Sequence, residues 1–417
     1  MISVEQHLER ILDAVSRLAP SRRSLLDAQG CVLAEDVSSL VSLPGFDNSA
    51  MDGYAVHAHD TAGASAQSPV SLDVVGDIAA GDTRRLTLPP GRAYRIMTGA
   101  PMPGGADGIV PVEATDGGTQ IVSISEPAEP GRHLRRAGED VQTGQLVLRA
   151  GERLGPRQLA LLASTGYGEV VVVPTPRVVV LSTGDELVEP GVLPGHGEVV
   201  DSNSLMLAGA IRDAGAVPYR VSGVKDDVDA FLATMEKQLV RADAIVTSGG
   251  VSMGAFDVVK EALSLLGTVD FVQVAMQPGK PQGFGTLGDG RVPIFALPGN
   301  PVSALVSFEV FVAPALRVMA GRPSRGEQPI RAVSSHDWSS VEGRTQFARV
   351  RLTRTPSRYV FRLTGGQGSH MLGGLSEANA FAVVPADVTR VAAGDTLSCL
   401  PVGPIDMLAD DDTPGVS

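Results

Sequence analysis

Apolar residues Val4, Leu8, Ile11, Leu12, Val15 and Leu18 recur at helical spacing, with Ser3 and Gln6 at capping-box separation, and predict an amphipathic N-terminal helix. From Leu43 the periodicity breaks into turn formers. Short strand-like runs follow near Leu72 to Val75, Ala93 to Met97 and Gly108 to Val112, so residues 46–130 read as a small β-rich domain. A second helix, Pro156 to Ser164, opens on proline. The economical arrangement joins residues 1–45 and 131–168 in one elongated domain, with the β-rich domain inserted. Strands then alternate with helices: Arg177 to Leu181, Ser202 to Ala214, Val217 to Val224, Asp227 to Val240, Ala244 to Thr247, Ala255 to Leu266, Phe271 to Met276, Ile294 to Leu297 and the apolar helix Pro301 to Met319. Residues 169–320 are therefore expected to form an α/β domain with an open, mostly parallel sheet. Short alternating strands return at 330–333, 346–352, 359–363, 380–384 and 396–400, which makes 321–405 a C-terminal β domain and 406–417 a disordered tail.

Composition narrows the class. At 417 residues, with 43% hydrophobic positions, the chain has material for several cores, and 48 glycines with 29 prolines imply many turns. The net charge of −13, with no Lys/Arg run longer than two, argues against nucleic-acid or anionic-membrane partners. Any anionic ligand must be held by local groups. The two cysteines, Cys31 and Cys399, have no metal-ligand spacing and suit a reducing compartment. Glu5, Glu9, Arg10 and Asp13 break up any signal-peptide h-region, and Glu309 interrupts the longest apolar run. The expectation is a cytoplasmic protein.

The chemistry gathers where strands end. Ala244-Ile245-Val246-Thr247 runs into Ser248-Gly249-Gly250-Val251-Ser252-Met253-Gly254 and then a helix, a sequence that serves either as an anion cradle or as a purely structural βα turn. Two more loops leave strand ends, Ser182-Thr183-Gly184-Asp185-Glu186 and Pro298-Gly299-Asn300-Pro301-Val302-Ser303. In a parallel sheet all three share one edge. Asp185, Glu186 and Asp257 place carboxylates beside the cradles, and carboxylates beside a phosphate require an intervening cation such as Mg²⁺. Lys280, in Gln277-Pro278-Gly279-Lys280-Pro281, is either a solvated turn lysine or a phosphate ligand worth about 1.5–3 kcal/mol. The glycine spacing of 249–254 imitates a P-loop, but Ala255-Phe256 stands where Lys-Ser/Thr is required. The seven histidines leave the α/β region nearly empty of general bases, which removes a Ser-His-Asp hydrolase, and no G-x-G-x-x-G follows a strand.

Seven stretches carry a family pattern in order: Asp47 to Val56, Arg95 to Ala100, Arg135 to Asp140, Ser182 to Leu187, Thr247 to Asp257, Pro278 to Pro281 and Leu297 to Ser303. Together they resemble the molybdopterin molybdenumtransferases, the MoeA/gephyrin E-domain family. The resemblance implies a four-domain elongated homodimer whose α/β domain is similar to the molybdopterin adenylyltransferase fold. It implies Mg²⁺-dependent hydrolysis of adenylylated molybdopterin, release of AMP and insertion of molybdenum from molybdate. It also implies exchange with an adenylyltransferase and with recipient molybdoenzymes.

By motif position, Glu186 and Asp257 would hold Mg²⁺ near the nucleotide, and Lys280 would meet phosphate or molybdate. Thr183, Gly184, Ser248, Gly249, Gly250, Ser252 and Gly254 would surround the pterin phosphate. Pro298, Asn300 and Pro301 would shape the wall, Ser369 would enter from the C-terminal domain, and one of Asp226 and Asp227 would add a carboxylate. Asp52, Thr98, Arg135 and Asp140 would come from the other subunit. This chain departs from many relatives in having Met276-Gln277 where a second lysine precedes Pro-Gly-Lys, which places more of the anion binding on Lys280 and arginines. The resemblance leaves two alternatives, a dimeric binding scaffold of the same fold and an adenylyltransferase.

Overall fold

The computed structural model describes residues 1–224, 227–249, 258–324, 326 and 328–402, and the backbone of 409–410. They fall into two compact units, one of Met1–Ser21, Gly30–Val32 and Val173–Ser417, the other of Arg22–Gln29 and Leu33–Val172. The first helix, α1 (Val4–Ala14), is closed by the expected capping box: Gln6 N–H donates to Ser3 Oγ at 3.1 Å and Ser3 N–H to Gln6 Oε1 at 2.9 Å.

In the unit of Arg22–Gln29 and Leu33–Val172, the strands are β1 (Gly53–Val56), β2 (Val70–Ile78), β3 (Arg92–Ile96), β4 (Gly108–Pro111) and β5 (Ile121–Ile124), in the order β4-β1-β3-β2-β5. The interior strand β1 is buried throughout, and Tyr54 lies in a core with Val56, Leu72, Val110, Val122 and Ile124. Its hydroxyl, which would otherwise be a buried orphan, donates to the Gly118 carbonyl at 2.8 Å. A Cβ on Gly53 would lie 2.0 Å from the Val110 carbonyl oxygen, so only glycine fits where β1 crosses β4. Helix α2 (Pro156–Ser164) follows, with proline in its first turn.

In the other unit a six-stranded sheet contains β6 (Arg177–Thr183), β7 (Val217–Val224), β8 (Ala244–Ser248), β9 (Val269–Gln273), β10 (Pro281–Leu287) and β11 (Val292–Leu297). The order is β7-β6-β8-β11-β10-β9; the first four are parallel, and β10 and β9 add antiparallel pairings. The strand β10 has no counterpart among the expected elements, because its run Pro281-Gln282-Gly283-Phe284-Gly285 carries two glycines and little β-branched content. Helices α3 (Asn203–Asp213), α4 (Val228–Leu239) and α5 (Val258–Leu265) intervene, and α6 (Pro301–Met319) closes the domain. Residues 250–257, where the helix was expected to begin, lie outside the described residues.

Two cores flank the sheet. One brings Val4, Ile11 and Val15 of the N-terminal segment against Phe308 and Phe311, so α1 packs within the compact unit that holds the α/β sheet. The apolar face of α1 is covered by the broad apolar surface of α6, with His7 edge-on to Phe311 at 4.7 Å. Helix α6 is long and apolar enough to cross a membrane by composition, but 83% of it is buried inside this fold, as a core helix should be.

The C-terminal strands β12 (Ile330–Ser334), β13 (Thr345–Arg354), β14 (Tyr359–Leu363), β15 (Ala380–Val384) and β16 (Thr396–Pro401), with helix α7 (Leu372–Glu377) between β14 and β15, form a barrel in the order β13-β14-β12-β16-β15. Pairing of β13 with β15 closes it and removes the free edges. In the segment expected to be a tail, 409–410 pair with the overhanging end of β13, which offers unpaired backbone groups there. The rest of that tail lies outside the described residues.

Two outcomes follow from these packing relations. Gly53→Ala will destabilise its unit by on the order of 3 kcal/mol, since backbone must move, whereas Gly290→Ala, with nothing nearer than 3.9 Å, will be tolerated; thermal unfolding compares them. Glu309, in α6, is pushed up from 4.5 to about 7 chiefly by burial, against the attraction of Arg317. A carboxyl whose folded pKa is raised binds more protons folded than unfolded, so its contribution makes stability fall as pH rises from about 4.5 to 7. Glu309→Gln will remove that slope, measurable by denaturant unfolding across the same window.

Candidate functional site

The site begins with register. Ser182 of β6 stands beside Ser248 of β8, which stands beside Leu297 of β11, so three parallel strands end together and their loops meet. A Cβ on Gly249, where φ is +97°, would lie 3.7 Å from the Thr183 carbonyl oxygen, and one on Gly299 would lie 3.4 Å from Gly249 Cα. Gly249 thus lies between Thr183 on one side and Gly299 on the other, as loops leaving one sheet edge should. Gly249 N–H donates to the Leu297 carbonyl at 3.1 Å and anchors the start of the central loop. Ser248 is buried, Thr183 nearly so, and Pro298 lies buried beneath exposed Gly299 and Asn300. Gly250, Ser252, Gly254, Asp257 and Asp226 lie outside the described residues.

Asn203, unrecognised in the sequence, ties two of these loops together. Its Nδ2 donates to Ser248 Oγ at 2.8 Å and to the Gly299 carbonyl at 2.6 Å from the first residue of α3. Beside it Asp201, buried, accepts from Ser204 N–H at 3.0 Å and from Ser182 Oγ at 3.3 Å. Its other oxygen faces Arg220 Nη2 at 3.7 Å, and Arg220 also donates through Nε to Ser204 Oγ at 2.8 Å. The available signal was Asp201-Ser202-Asn203, a cap sequence directly before a helix. Asp227, the other member of the acidic pair, is occupied as the N-cap of α4, accepting from Ala230 N–H at 2.8 Å.

Around this floor stand the ionisable groups. Glu186 is exposed, and its carboxylate folds back over Gly184, where a Cβ would come within 2.5 Å of Oε2. Lys280 sits on a turn held from beneath: Gln282 Nε2 donates to the Gly279 carbonyl at 2.6 Å and to Ser307 Oγ at 2.7 Å, while Val274 N–H donates to the Lys280 carbonyl at 2.8 Å. Both peptide bonds preceding Pro44 and Pro278 are cis. Arg344 supplies a cation that motif reading overlooked. It donates to Gln277 Oε1 at 3.1 Å, because Met276–Gln277 pairs in parallel with the start of β13. From the barrel, Ser369 Oγ accepts from Asn300 Nδ2 at 3.0 Å and its carbonyl accepts from Val302 N–H, in the first turn of α6, at 3.1 Å.

The remaining predicted residues lie in the other compact unit, where segment 47–52 gathers them. Asp52 Oδ1 accepts from Thr98 N–H at 2.7 Å and from Thr98 Oγ1 at 2.9 Å, and these bonds hold its carboxyl below the ordinary range. Arg135 pairs through its backbone with Asn48, and Asp140 N–H donates to the Leu43 carbonyl at 3.0 Å. Asp47, held low first by Ala137 N–H and then by Arg136, fastens the 135–140 loop to the same segment.

No group of three or more His, Cys, Asp or Glu forms a metal cluster among the described residues. The single exposed carboxylate of Glu186 does suit Mg²⁺, which is commonly held by one or two carboxylates together with substrate phosphates.

Hydroxyls, a bridging amide and glycine backbone gather at the carboxyl edge of the parallel sheet, with a braced lysine on the turn before β10, an arrangement chemically able to meet an oxyanion. Three family models match in series: the MoeA N-terminal region (domain I and II) over residues 2–166, a probable molybdopterin binding domain over 179–318, and the MoeA C-terminal region (domain IV) over 331–402. Molybdopterin molybdenumtransferase 2 of Mycobacterium tuberculosis (strain CDC 1551 / Oshkosh) is 48% identical over 403 residues, covering 95% of this chain and 98% of the relative. The molybdopterin molybdenumtransferase of Bacillus subtilis (strain 168) is 32% identical over 404 residues, 96% and 94% of the two chains. The crystal structure of a molybdopterin biosynthesis MoeA protein from Pyrococcus horikosii superposes with a TM-score of 0.77 at 32% identity, covering 97% of this chain and 100% of that one. The chain belongs to the MoeA family of molybdopterin molybdenumtransferases.

Thr98→Val will remove the hydroxyl donor and move the Asp52 pKa up toward its ordinary value, read by NMR titration of the carboxyl carbon. Asn203→Ala leaves the Gly299 carbonyl and Ser248 hydroxyl without their shared donor and will lower stability by about 1–2 kcal/mol, with faster amide exchange at Gly249.

Proposed function

We propose that this chain performs its family's reaction: it hydrolyses the phosphoanhydride of adenylylated molybdopterin, releases AMP and transfers molybdenum from molybdate to the dithiolene sulfurs. The observation that carries the reading is the meeting of Thr183, Ser248, Gly249 and Gly299 at one sheet edge, close-packed and rich in neutral donors. A chain of net charge −13 repels a polyanion at long range, so capture depends on donors fixed at short range. Ser248 and the loop it begins, through Gly250, Ser252 and Gly254, surround the pterin phosphate. Lys280 on its braced turn neutralises charge on the transferring oxyanion, with Arg344 beside it. Glu186 and Asp257 hold Mg²⁺, which when bound screens the phosphate charge and favours departure of AMP.

The active form in this reading is a cytoplasmic homodimer. Asp52, Thr98, Arg135 and Asp140, gathered around segment 47–52, serve the α/β site of the partner copy, while Pro298, Asn300, Pro301 and Ser369 belong to the site of their own chain. In this reading the chain divides into an elongated dimerisation domain of residues 1–45 with 131–168, an inserted β-rich domain of 46–130, the molybdopterin-binding α/β domain of 169–320 and a C-terminal β domain of 321–405. Substrate arrives from an adenylyltransferase and product leaves to apo-molybdoenzymes.

AMP release from adenylylated molybdopterin, with Mg²⁺ and molybdate varied, tests the reaction. Asp257→Ala and Lys280→Ala will fold normally and lose about 10²-fold or more in rate; no AMP release by the wild-type protein at any molybdate concentration defeats the proposal. Mixing Asp52→Ala with Lys280→Ala protein will restore up to about a quarter to a half of the activity through mixed dimers if the two groups act in trans. Absence of recovery in a verified mixed dimer rejects that arrangement.

A further inference from the structure

Arg349, in the middle of β13, is the largest fully buried side chain among the described residues, 1% exposed, and no carboxylate pairs with it there. A lone buried guanidinium is costly unless its N–H groups are met by well-placed acceptors. Here Nη1 donates to Met371 O at 2.6 Å and Nη2 to Gly366 O, two carbonyls of one loop, while Nε is buried without a hydrogen-bond partner. The backbone of Arg349 grips the same loop, its N–H donating to Gln367 Oε1 at 2.9 Å and its carbonyl accepting from Thr364 N–H at 3.1 Å. Burial lowers the guanidinium pKa from its ordinary value, yet arginine stays cationic from so high a starting point.

Between the two clamped carbonyls lies Ser369. Its hydroxyl oxygen accepts from Asn300 and its carbonyl from Val302, so the clamp sets where this residue meets the strand-end site. With one lone pair taken by Asn300, the Ser369 hydroxyl hydrogen is left to donate to an oxyanion.

We infer that Arg349 is a positioning residue: its fork spans Gly366 and Met371 and holds the Ser369 hydroxyl for oxyanion capture. This rests on the reaction proposed above. Lysine keeps the charge but cannot span two carbonyls with a planar fork, so charge and geometry separate in Arg349→Lys.

The experiment is a double-mutant cycle on the molybdate concentration giving half-maximal AMP release, together with amide exchange of Val302. Ser369→Ala and Arg349→Lys will each raise the half-saturating molybdate about tenfold with little change at saturation, and the double variant will be no worse than either single, as expected for residues acting through one contact. Val302 exchange will quicken in Arg349→Lys. An unchanged molybdate dependence in Arg349→Lys, or a double variant near a hundredfold, overturns the inference, since a merely structural arginine gives independent effects. If Arg349→Lys does not fold, Gln367→Ala, which loosens the same loop, takes its place in the cycle with the same criteria. If the wild-type protein releases no AMP, the proposed reaction falls, and Val302 exchange alone decides: faster in the variant supports the clamp, unchanged refutes it.

Discussion

Three parallel strands that end in one register, with Ser182, Ser248 and Leu297 abreast, govern the rest of the site. Parallel pairing sends each chain out of the sheet on the same side, so their loops compete for the same volume. Glycine at 249 suits the backbone there, whose φ of +97° a side chain would strain, and a Cβ at 299 would lie in ordinary contact with Gly249 Cα at 3.4 Å. What remains between the loops is backbone and small hydroxyls. That surface favours an oxyanion over an apolar ligand, and it follows from topology before any charged residue is considered.

The loops need a fixed relation to one another, and the structure supplies it from elements outside the sheet. Asn203 fastens two of them from the first turn of α3, and buried Asp201 secures that turn through Ser204 and Ser182. The Lys280 turn is braced by Gln282 and Ser307, and the Asn300 loop by Ser369 of the barrel. Apart from the Asp201 carboxylate, which faces Arg220, each brace is a neutral amide or hydroxyl. Neutral braces hold geometry without adding a field that would oppose or over-stabilise a doubly charged substrate, which suits a site that must release its product.

Much of the architecture was legible in the chain. Periodicity located the α/β strands and helices and the five barrel strands because burial on one or two faces imposes a period on the sequence. The capping box at Ser3 and Gln6 was readable for the same local reason. Strand β10 was hidden by its glycines, and the partner of α1 was hidden because amphipathicity shows that a helix is covered without showing by what. At the site, glycine loops and Lys280 advertised themselves through unusual local sequence. Asn203, Asp201, Arg344 and Arg349 did not, since their importance comes from contacts separated by 17 to 96 residues. A single polar residue at a helix start or in a strand has many ordinary uses, and only the folded chain reveals which one applies.

Gln277 shows how such long-range contacts place chemistry. A glutamine contributes no charge, but its carbonyl oxygen accepts from Arg344, which the parallel pairing of Met276–Gln277 with β13 brings alongside. The cation at this corner is therefore delivered by the barrel module and only oriented by residue 277. Arginine has five N–H donors, and the bond to Gln277 leaves others to face an anion in a plane, unlike the point charge of an ammonium. The barrel thus reaches the α/β loops twice, through Arg344 at Gln277 and through Ser369 at Asn300, so the placement of both loops depends on a β module far from them in sequence.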